Sequence, residues 1–312
     1  MNAPVFLVGP TASGKSEAGL LLAEALGEGT EILSMDAMAV YRGMDVATAK
    51  PSAEARRRIP HHGLDLASPS EEFHLGAFLT EARRVLSDAE ARGRRILAVG
   101  GTGFYLHRLR EGLFEGPGAD WALRAEMEDR ATKEGPQALH AELARLDPEA
   151  AAGIRPEDLR RTMRSLEVCL STGRAMTAWR REGTRGGIGG GVLLGIRRPD
   201  GDLRRRIDAR VDAMFSGGIV EETRRVAAAG LSHSASQALG TKEVLGMLEG
   251  RWNLEEARDL VRRRTWQFAR RQKTWFRRFT EIRWVDAGED DSPADLAGHL
   301  LELLRDAEVK VA

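Results

Sequence analysis

The sequence predicts an α/β fold in which a parallel sheet is flanked by helices and carries a helical insertion. Three observations favour it. Residues 1 to about 112 alternate short apolar runs with helical patterns, residues from about 116 to 179 are helical, and the alternation resumes at Val192. Alternation of this kind is typical of parallel strands joined by crossover helices. We predict a core made of residues 1–115 and 191–312 and an insertion made of residues 116–190.

The composition is that of a globular protein of one or two domains. The chain has 312 residues, 42% hydrophobic and 30% charged, and no apolar run approaches the length of a membrane span. Its one cysteine, Cys169, excludes an internal disulfide, and apolar neighbours predict that it is a core residue. Because no signal-like segment opens the sequence, we expect a cytoplasmic monomer without a membrane partner.

The first element is a predicted strand, Pro4 to Val8, that leads into a turn and then a helical pattern from Glu17 to Leu26. The turn reads Gly9-Pro10-Thr11-Ala12-Ser13-Gly14-Lys15-Ser16. Its spacing, G-x-x-x-x-G-K-S between a strand and a helix, is that of a P-loop, which binds ATP and other nucleotides. The sequence therefore predicts a P-loop-type core with a polyphosphate site, without identifying the polyphosphate.

Each residue type in this turn has a physical role. Gly9 and Gly14 allow the backbone to curl so that several N–H groups point inward. The N-terminus of the following helix adds the positive end of its dipole. Lys15 supplies a mobile cation, and the hydroxyl of Ser16 is placed to bind Mg²⁺, the one metal that the sequence implies.

Two further predicted strands end in residues that suit the same site. The run Glu31 to Asp36 ends on a carboxylate, and Arg95 to Val99 ends in Gly100-Gly101-Thr102-Gly103. A helical pattern over Phe73 to Arg92 lies between them. Because ligands bind at the carboxyl ends of parallel strands, we expect all three strand ends to converge on one crevice.

The later part of the chain is mostly helical. Helices are predicted over Trp121 to Lys133, Pro136 to Leu146, Pro156 to Thr172, Asp202 to Phe215, Ile219 to Ala229 and Leu254 to about Thr280, with a last one starting after Ser292. A strand is predicted over Val192 to Ile196. The glycine run before it, Gly186 to Gly191, is either a hinge for the insertion or a loose surface loop.

The net charge of zero conceals a basic segment. Between Arg251 and Arg283 there are 11 Lys or Arg against 4 Asp or Glu, whereas Trp284 to Ala312 holds 2 against 8. A second arginine-rich stretch runs from Arg155 to Arg185. Aromatic residues of the basic helix are expected in the core, but some of its arginines are better explained by phosphate contact. These patches predict a nucleic-acid partner.

The chemistry of the site is left open by these patterns alone. Kinases and nucleotide hydrolases usually carry an acid for Mg²⁺ at the end of a hydrophobic strand, and Gly100-Gly101-Thr102 has none. The candidate acid is instead Asp36, at the end of the second predicted strand. Three roles remain open for its carboxylate: a general base, a metal ligand, or a cap that orders the loop. His61 and His62 are favoured as structural residues over acid–base catalysts.

The sequence resembles the bacterial tRNA dimethylallyltransferases, which prenylate the N6 amine of the adenosine beside the anticodon. The resemblance covers nearly the whole chain. Its motifs are the P-loop, Ser34-Met35-Asp36, Tyr41, Asp45, Thr48-Ala49-Lys50-Pro51, Pro60-His61-His62, Val99 to Tyr105, Arg160 to Val168, Arg206 to Val211, Ala269 to Gln272 and Thr274-Trp275. Together they are far more specific than the P-loop alone.

The resemblance implies a role for each motif. Dimethylallyl diphosphate, not ATP, would occupy the P-loop, with Lys15, Mg²⁺ on Ser16 and Arg210 neutralising the diphosphate and Thr11 lining the pocket. Asp36 would accept the proton of the adenine amine. The residues implied to contact the tRNA anticodon stem-loop are Asp36, Ala37, Met38, Ala39, Thr102, Arg124, Arg160, Arg161, Thr162, Met163 and Arg164.

Four positions depart from the family pattern. The family usually has Ser at Ala37, Gln at Ala39 and Gly at Ala47, and it commonly has Tyr at Thr241. The first two departures remove a hydrogen bond to the base or to Asp36, so they concern substrate detail and leave the proposed base in place.

Two alternatives remain at this point. The P-loop alone suits a small-molecule or nucleotide kinase, which transfers a γ-phosphate and uses no prenyl donor. The basic helices alone suit a non-catalytic RNA-binding protein, whose binding depends strongly on salt and leaves the RNA unchanged.

Overall fold

The computed structural model describes residues 4–114 and 116–309. The chain divides into two compact units, each with its own hydrophobic core. Unit one comprises Met1–His107 and Gly189–Ala312, and unit two comprises Arg108–Ile188.

Unit one is built on a parallel sheet. Its strands, within the described ranges, are β1 (Val5–Val8), β2 (Thr30–Ser34), β3 (His61–His62), β4 (Arg95–Gly100), β5 (Val192–Arg197) and β6 (Arg283–Asp286). Their order across the sheet is β3-β2-β4-β1-β5-β6, and every pairing is parallel. All four residues of β1 are buried, as expected for a central strand covered on both faces.

Helices α1 (Lys15–Ala25), α4 (Leu75–Ala91) and α16 (Pro293–Val309) pack against this sheet. The other helices that begin in unit one are α2 (Asp45–Thr48), α3 (Ala53–Arg58), α5 (Gly103–Glu111), α11 (Asp200–Ser216), α12 (Ile219–Ala228), α13 (His233–Ser236), α14 (Thr241–Leu248) and α15 (Leu254–Phe276). Helices α1 and α16 contribute Leu22, Leu296 and Leu300 to the same buried cluster as the strands. The fold class predicted from the sequence, a parallel sheet flanked by helices, is confirmed.

Unit two is helical in its named elements, which are α6 (Trp121–Glu134), α7 (Pro136–Leu146), α8 (Pro148–Ala152), α9 (Leu159–Thr172) and α10 (Met176–Arg181). Asp120, Asp147 and Asp158 accept backbone hydrogen bonds at the starts of α6, α8 and α9. Cys169 packs in the core of this unit, as its apolar neighbours predicted.

Several predicted boundaries differ from the observed ones. The strand expected to end at Asp36 ends at Ser34, which places the carboxylate on a loop. The helix expected from Pro156 begins at Leu159, because the Asp158 side chain caps it. The helix expected to reach Thr280 ends at Phe276. The short strands β3 and β6 were not predicted. None of the described helices combines the length and the apolar character that crossing a membrane requires.

The loop after β2 is held by buried charges. Lys50, whose side chain is 1% exposed, donates from Nζ to the carbonyl of Tyr41 at 2.6 Å and pairs with Asp45 and Asp65 at 2.8 and 2.6 Å. The carboxylate of Glu222 accepts hydrogen bonds from three successive backbone N–H groups, residues 45–47, at 2.7–2.9 Å. These contacts fix both ends of α2 and so limit the freedom of the loop that carries Asp36.

A buried carboxylate also anchors β2 itself. Glu31, 7% exposed at its side chain, accepts bonds from Arg92 and lies 2.7 Å from Nε2 of His62. The hydrogen bonds of Arg92 lower the pKa of Glu31 to about 2; burial opposes this shift and His62 adds to it. A carboxyl group whose pKa is lowered in the folded state stabilises the fold above its ordinary pKa.

We therefore expect this stabilisation to be present above pH 4.5 and to be lost between pH 4.5 and about 2. The urea midpoint of wild-type protein will fall more steeply across that window than the midpoint of Glu31→Gln. The matched control is Glu28→Gln, at an exposed carboxyl group three residues earlier. Equal slopes for wild type and Glu31→Gln would contradict the assignment.

A second buried ion pair lies between β5 and α11. The side chain of Arg198 is fully buried and donates from Nη1 to Asp202 at 2.8 Å and to the carbonyl of Gly288 at 2.6 Å. Arg197, its neighbour, is exposed and pairs with the exposed Asp286. Removing one partner of a buried pair leaves an uncompensated charge, whereas a surface pair contributes little.

We expect Arg198→Met to lower the free energy of unfolding by about 3 kcal/mol. Arg197→Met will lower it by less than about 1 kcal/mol. Urea denaturation of both variants measures the difference. Comparable losses in the two variants would show that burial does not distinguish the two arginines.

Candidate active site

Three strand ends meet at one edge of the sheet. β4 lies between β2 and β1, and the register places Val8 beside Gly100 and Val99 beside Ser34. The turn after β1, the loop after β2 and the glycines after β4 therefore leave the sheet at the same level. The predicted convergence of these three segments is confirmed.

The turn after β1 has the backbone of an anion-binding loop. Ala12 and Gly14 have positive φ angles of 62° and 93°. Gly14 precedes α1 and provides no side chain to cap it, so no side chain competes for the first N–H groups of the helix. Uncapped N–H groups at a helix start, next to residues that alternate in backbone handedness, form a cradle for an anion.

Cations hold the carbonyl groups of this turn. Lys15 Nζ donates to the carbonyl of Pro10 at 3.1 Å, Arg206 Nε to that of Ala12 at 3.0 Å, and Arg198 Nε to that of Ser13 at 3.0 Å. Because the C=O and N–H of a trans peptide point in opposite directions, fixing these oxygens also fixes the direction of the N–H groups. Sequence reasoning missed the roles of Arg198 and Arg206.

Asp36 shares this site electrostatically with two cations. Burial, and then the charge of Arg210, lower the pKa of Lys15 to about 8, and the charge of Asp36 opposes the shift. Burial also lowers the pKa of Arg210, again against the effect of Asp36. The carboxylate therefore lies within electrostatic reach of both cations, and an anion beside them is favoured because it would relieve their repulsion.

The carboxylate of Asp36 is oriented by its own loop. Its Oδ1 accepts hydrogen bonds from the backbone N–H groups of Met38 at 2.8 Å and Ala39 at 3.3 Å. The N–H of Ala37 donates to Oγ1 of Thr102 at 3.3 Å, and the N–H of Thr102 donates to the carbonyl of Met35 at 3.3 Å. In the described hydrogen bonds Asp36 uses Oδ1, which leaves Oδ2 to accept a proton.

The glycines after β4 serve close packing. A Cβ atom at Gly100 would lie 2.3 Å from the carbonyl oxygen of Met35, and one at Gly101 would lie 2.3 Å from Nε2 of Gln272. Real Cβ atoms do not approach other atoms so closely. Gly100 meets backbone and therefore requires glycine, whereas a side chain at Gly101 would displace the amide of Gln272. A kinase would carry an acid at this strand end. Here the position is taken by two glycines, which pack against Met35 and Gln272.

His61 and His62 lie at the edge of the sheet, on β3. Nδ1 of His61 lies 2.7 Å from the carbonyl oxygen of Ile59, and His62 pairs with Glu31. These contacts favour the structural role expected from the sequence. The described residues contain no cluster of three or more metal-binding His, Cys, Asp or Glu side chains. Ser16, exposed at the start of α1, stays a prediction for Mg²⁺.

Some predicted tRNA contacts belong to unit two. Arg124 donates to Glu167 at 2.8 and 2.9 Å, and Arg164 donates to the same carboxylate. Burial raises the pKa of Glu167, but these two arginines outweigh it and the net pKa is lowered. Arg124 and Arg164 are 27% and 32% exposed, so each guanidinium group keeps an accessible part.

The residues from Arg160 to Met163, which the sequence analysis assigned to tRNA contact, differ in exposure. Arg160 and Arg161 are exposed, whereas Thr162 is fully buried and Met163 is 7% exposed. The sequence-based assignment of the Thr162 and Met163 side chains to an RNA surface is therefore corrected: helical periodicity turns them into the core of unit two.

The basic helix α15 also differs from its expected form. Arg262, Arg264 and Lys273 form ion pairs with acids on other helices, namely Asp212, Glu243 and Asp200. Such partners cannot be recognised in a local stretch of sequence. Five further arginines of α15 and the turn after it are exposed, at positions Arg263, Arg270, Arg271, Arg277 and Arg278.

Comparison with known proteins agrees with this geometry. Residues 39–279 match the sequence model of the family described as IPP transferase. The chain is 45% identical over 292 residues to a tRNA dimethylallyltransferase of Geobacter metallireducens, an alignment that covers 92% of this chain and 94% of that protein.

Solved structures agree as well. A tRNA isopentenylpyrophosphate transferase of Bacillus halodurans matches with a TM-score of 0.73 and 34% identity over 100% of this chain and 98% of its own. A eukaryotic dimethylallyltransferase acting on tRNA matches with a TM-score of 0.77 and 25% identity, over 98% and 78%. The resemblance inferred from the sequence is thus confirmed, and this chain belongs to the IPP transferase family.

Proposed function

We propose that the protein transfers a dimethylallyl group from dimethylallyl diphosphate to the N6 amine of the adenosine beside the anticodon in tRNA. The observation that carries this proposal is that the sheet register brings the loop of Asp36 and the anion-binding turn after β1 to the same edge of the sheet, where the carboxylate also acts electrostatically on Lys15 and Arg210. The relatives named above, called tRNA dimethylallyltransferases, support the same activity.

The diphosphate binds in the turn formed by residues 9–16. Backbone N–H groups at the start of α1 contact its oxygens, and Thr11, buried in the turn, lines the pocket. Lys15 and Arg210 stabilise the charge that develops as the bond between the allylic carbon and the diphosphate oxygen breaks. The exposed hydroxyl of Ser16 fits Mg²⁺, which keeps several waters and phosphate oxygens as ligands and would add positive charge there.

Asp36 supplies the base. The adenine N6 attacks the allylic carbon, the carbon–oxygen bond breaks with its electron pair leaving on the diphosphate, and the N6 proton passes to Oδ2 of Asp36. An aromatic amine is a weak nucleophile, so a positioned base contributes on the order of 10²–10⁴ in rate. Extruding a base from a loop costs about a few kcal/mol, which makes the anticodon loop an accessible substrate.

Exposed arginines supply the RNA-binding surface. Arg263 and Arg270 on α15 and Arg277, the residue that follows the helix, recur every seven residues, so they share one face at intervals of about 10 Å. Arg160 and Arg161 are exposed on unit two, and Arg124 and Arg164 keep accessible parts. Such side chains bind the phosphate backbone without reading its sequence. Thr102, beside the Asp36 loop, and the partly exposed Ala37 and Met38 would contact the target base, whereas the side chain of Ala39 is 4% exposed and is removed from the predicted contacts. The proposal needs one copy of the chain, so we expect a monomer.

We expect Asp36→Asn to lower single-turnover prenyl transfer by about 10²–10⁴-fold. The amide oxygen still accepts the two backbone hydrogen bonds, so the loop keeps its shape and tRNA binding is retained. The assay mixes protein, Mg²⁺, dimethylallyl diphosphate and tRNA, with nucleoside mass spectrometry as the readout. The matched control is Glu54→Gln, at an exposed carboxylate of α3.

The same assay separates the alternatives. A wild-type rate in Asp36→Asn would remove Asp36 as the base. Transfer of a γ-phosphate from ATP with no use of the prenyl donor would indicate a kinase. Salt-dependent tRNA binding without a covalent change would indicate a binding protein.

A further inference from the structure

One buried side chain joins two of the three strand ends. Gln272 lies on α15 and is 5% exposed. Its Oε1 accepts a hydrogen bond from the N–H of Thr11 at 2.8 Å, and its Nε2 donates to the carbonyl of Gly101 at 2.9 Å. A single planar amide therefore links the turn after β1 to the segment after β4, and both of its polar ends are satisfied.

We propose that Gln272 is a positioning residue that sets the separation between the diphosphate-binding turn and the base Asp36. The inference rests on the proposed function, because it concerns the distance between the leaving group and the proton acceptor of that reaction. Gln272 itself is too deeply buried to contact either substrate.

On one side, the amide of Gln272 is connected to Lys15 through the peptide group between Pro10 and Thr11. The N–H of Thr11 belongs to the peptide whose carbonyl, that of Pro10, accepts from Lys15 Nζ at 3.1 Å. Gln272 thus holds one side of this peptide while the cation that faces the diphosphate holds the other. Movement of the peptide would displace both the turn and its lysine.

On the other side, the amide of Gln272 is connected to Asp36 through Gly101 and Thr102. Gly101 is followed by Thr102, whose N–H donates to the carbonyl of Met35 and whose Oγ1 accepts from the N–H of Ala37. These two contacts flank Asp36 on both sides in the chain. A shift of the Gly101 carbonyl therefore passes through two hydrogen bonds to the backbone of the base.

The site requires an amide at this length. A Cβ atom at Gly101 would lie 2.3 Å from Nε2 of Gln272, so the glycine provides the space that the amide occupies. Methionine matches the volume of glutamine but neither donates nor accepts as an amide does. Asparagine keeps both groups but is one methylene too short to reach both turns. Reaction rates depend on sub-ångström placement, and a displacement of about 1 Å costs on the order of 10²-fold.

The test compares Gln272→Met with Gln267→Met, a glutamine exposed on the same helix. Single-turnover prenyl transfer is measured at saturating dimethylallyl diphosphate and anticodon stem-loop RNA. The rate is expressed per site that binds inorganic diphosphate, counted by calorimetry, so that unfolded protein does not contribute. We expect Gln272→Met to lose about 10–100-fold in this rate. Its dissociation constant for the RNA will stay within about twofold of the wild-type value, and Gln267→Met will match the wild type.

Other outcomes overturn the inference. A wild-type rate per competent site in Gln272→Met means that the bridge does not position the reacting groups. A weaker RNA affinity with a normal saturated rate means that Gln272 serves RNA binding instead. If Gln272→Met does not fold, Gln272→Asn is judged by the same two readings. Absence of transfer by the wild type would overturn the proposed function itself, which separates that failure from this one.

Discussion

The structure depends on the direction of a few peptide groups in the turn after β1. Lys15, Arg198 and Arg206 bind three of its carbonyl oxygens, and the bonds to the latter two residues span more than 180 positions in sequence. With the oxygens occupied by protein cations, the N–H groups are directed to the other side and can bind an anion. The sheet, the flanking helices and the buried Arg198–Asp202 pair serve to hold that arrangement.

The reaction that a phosphate-binding turn supports depends on the residues that surround it. A kinase surrounds its phosphate loop with acids that hold metal ions. Here β4, beside β1, ends at Gly100, and Gly100 and Gly101 pack against backbone and Gln272. The carboxylate of the site, Asp36, lies on the loop after the neighbouring strand β2. That carboxylate is oriented through Oδ1 by its own loop, and the proposed function uses it as a proton acceptor beside two cations.

The fold and the location of the site could be predicted from the sequence because their signals are local. Strand and helix periods, the P-loop spacing and the polar strand ends at Asp36 and Gly100 lie within short windows. Contacts between distant segments could not be predicted in this way. In the sequence, Arg262 and Arg264 resemble unpaired RNA-binding side chains. In the structure they form ion pairs with Asp212 and Glu243, which lie on other helices.

Gln272 is an intermediate case. The buried positions of α15 recur at helical spacing, at Ala257, Val261, Thr265, Ala269, Gln272 and Phe276. A glutamine among them indicates a polar side chain that must find partners in the interior. The sequence pattern therefore contained the signal, although the identity of its partners required the structure.

The hydrogen bond between Gln272 and Thr11 joins residues 261 positions apart. Arg198, which binds the same turn, also donates a hydrogen bond to the carbonyl of Gly288. During synthesis on a ribosome, the first strand and its turn emerge long before these supports exist. Contacts of such long range are also slow to form, because loop-closure entropy is lost before they are gained. In a nascent chain the turn after β1 will therefore lack these supports until nearly all of unit one has been translated.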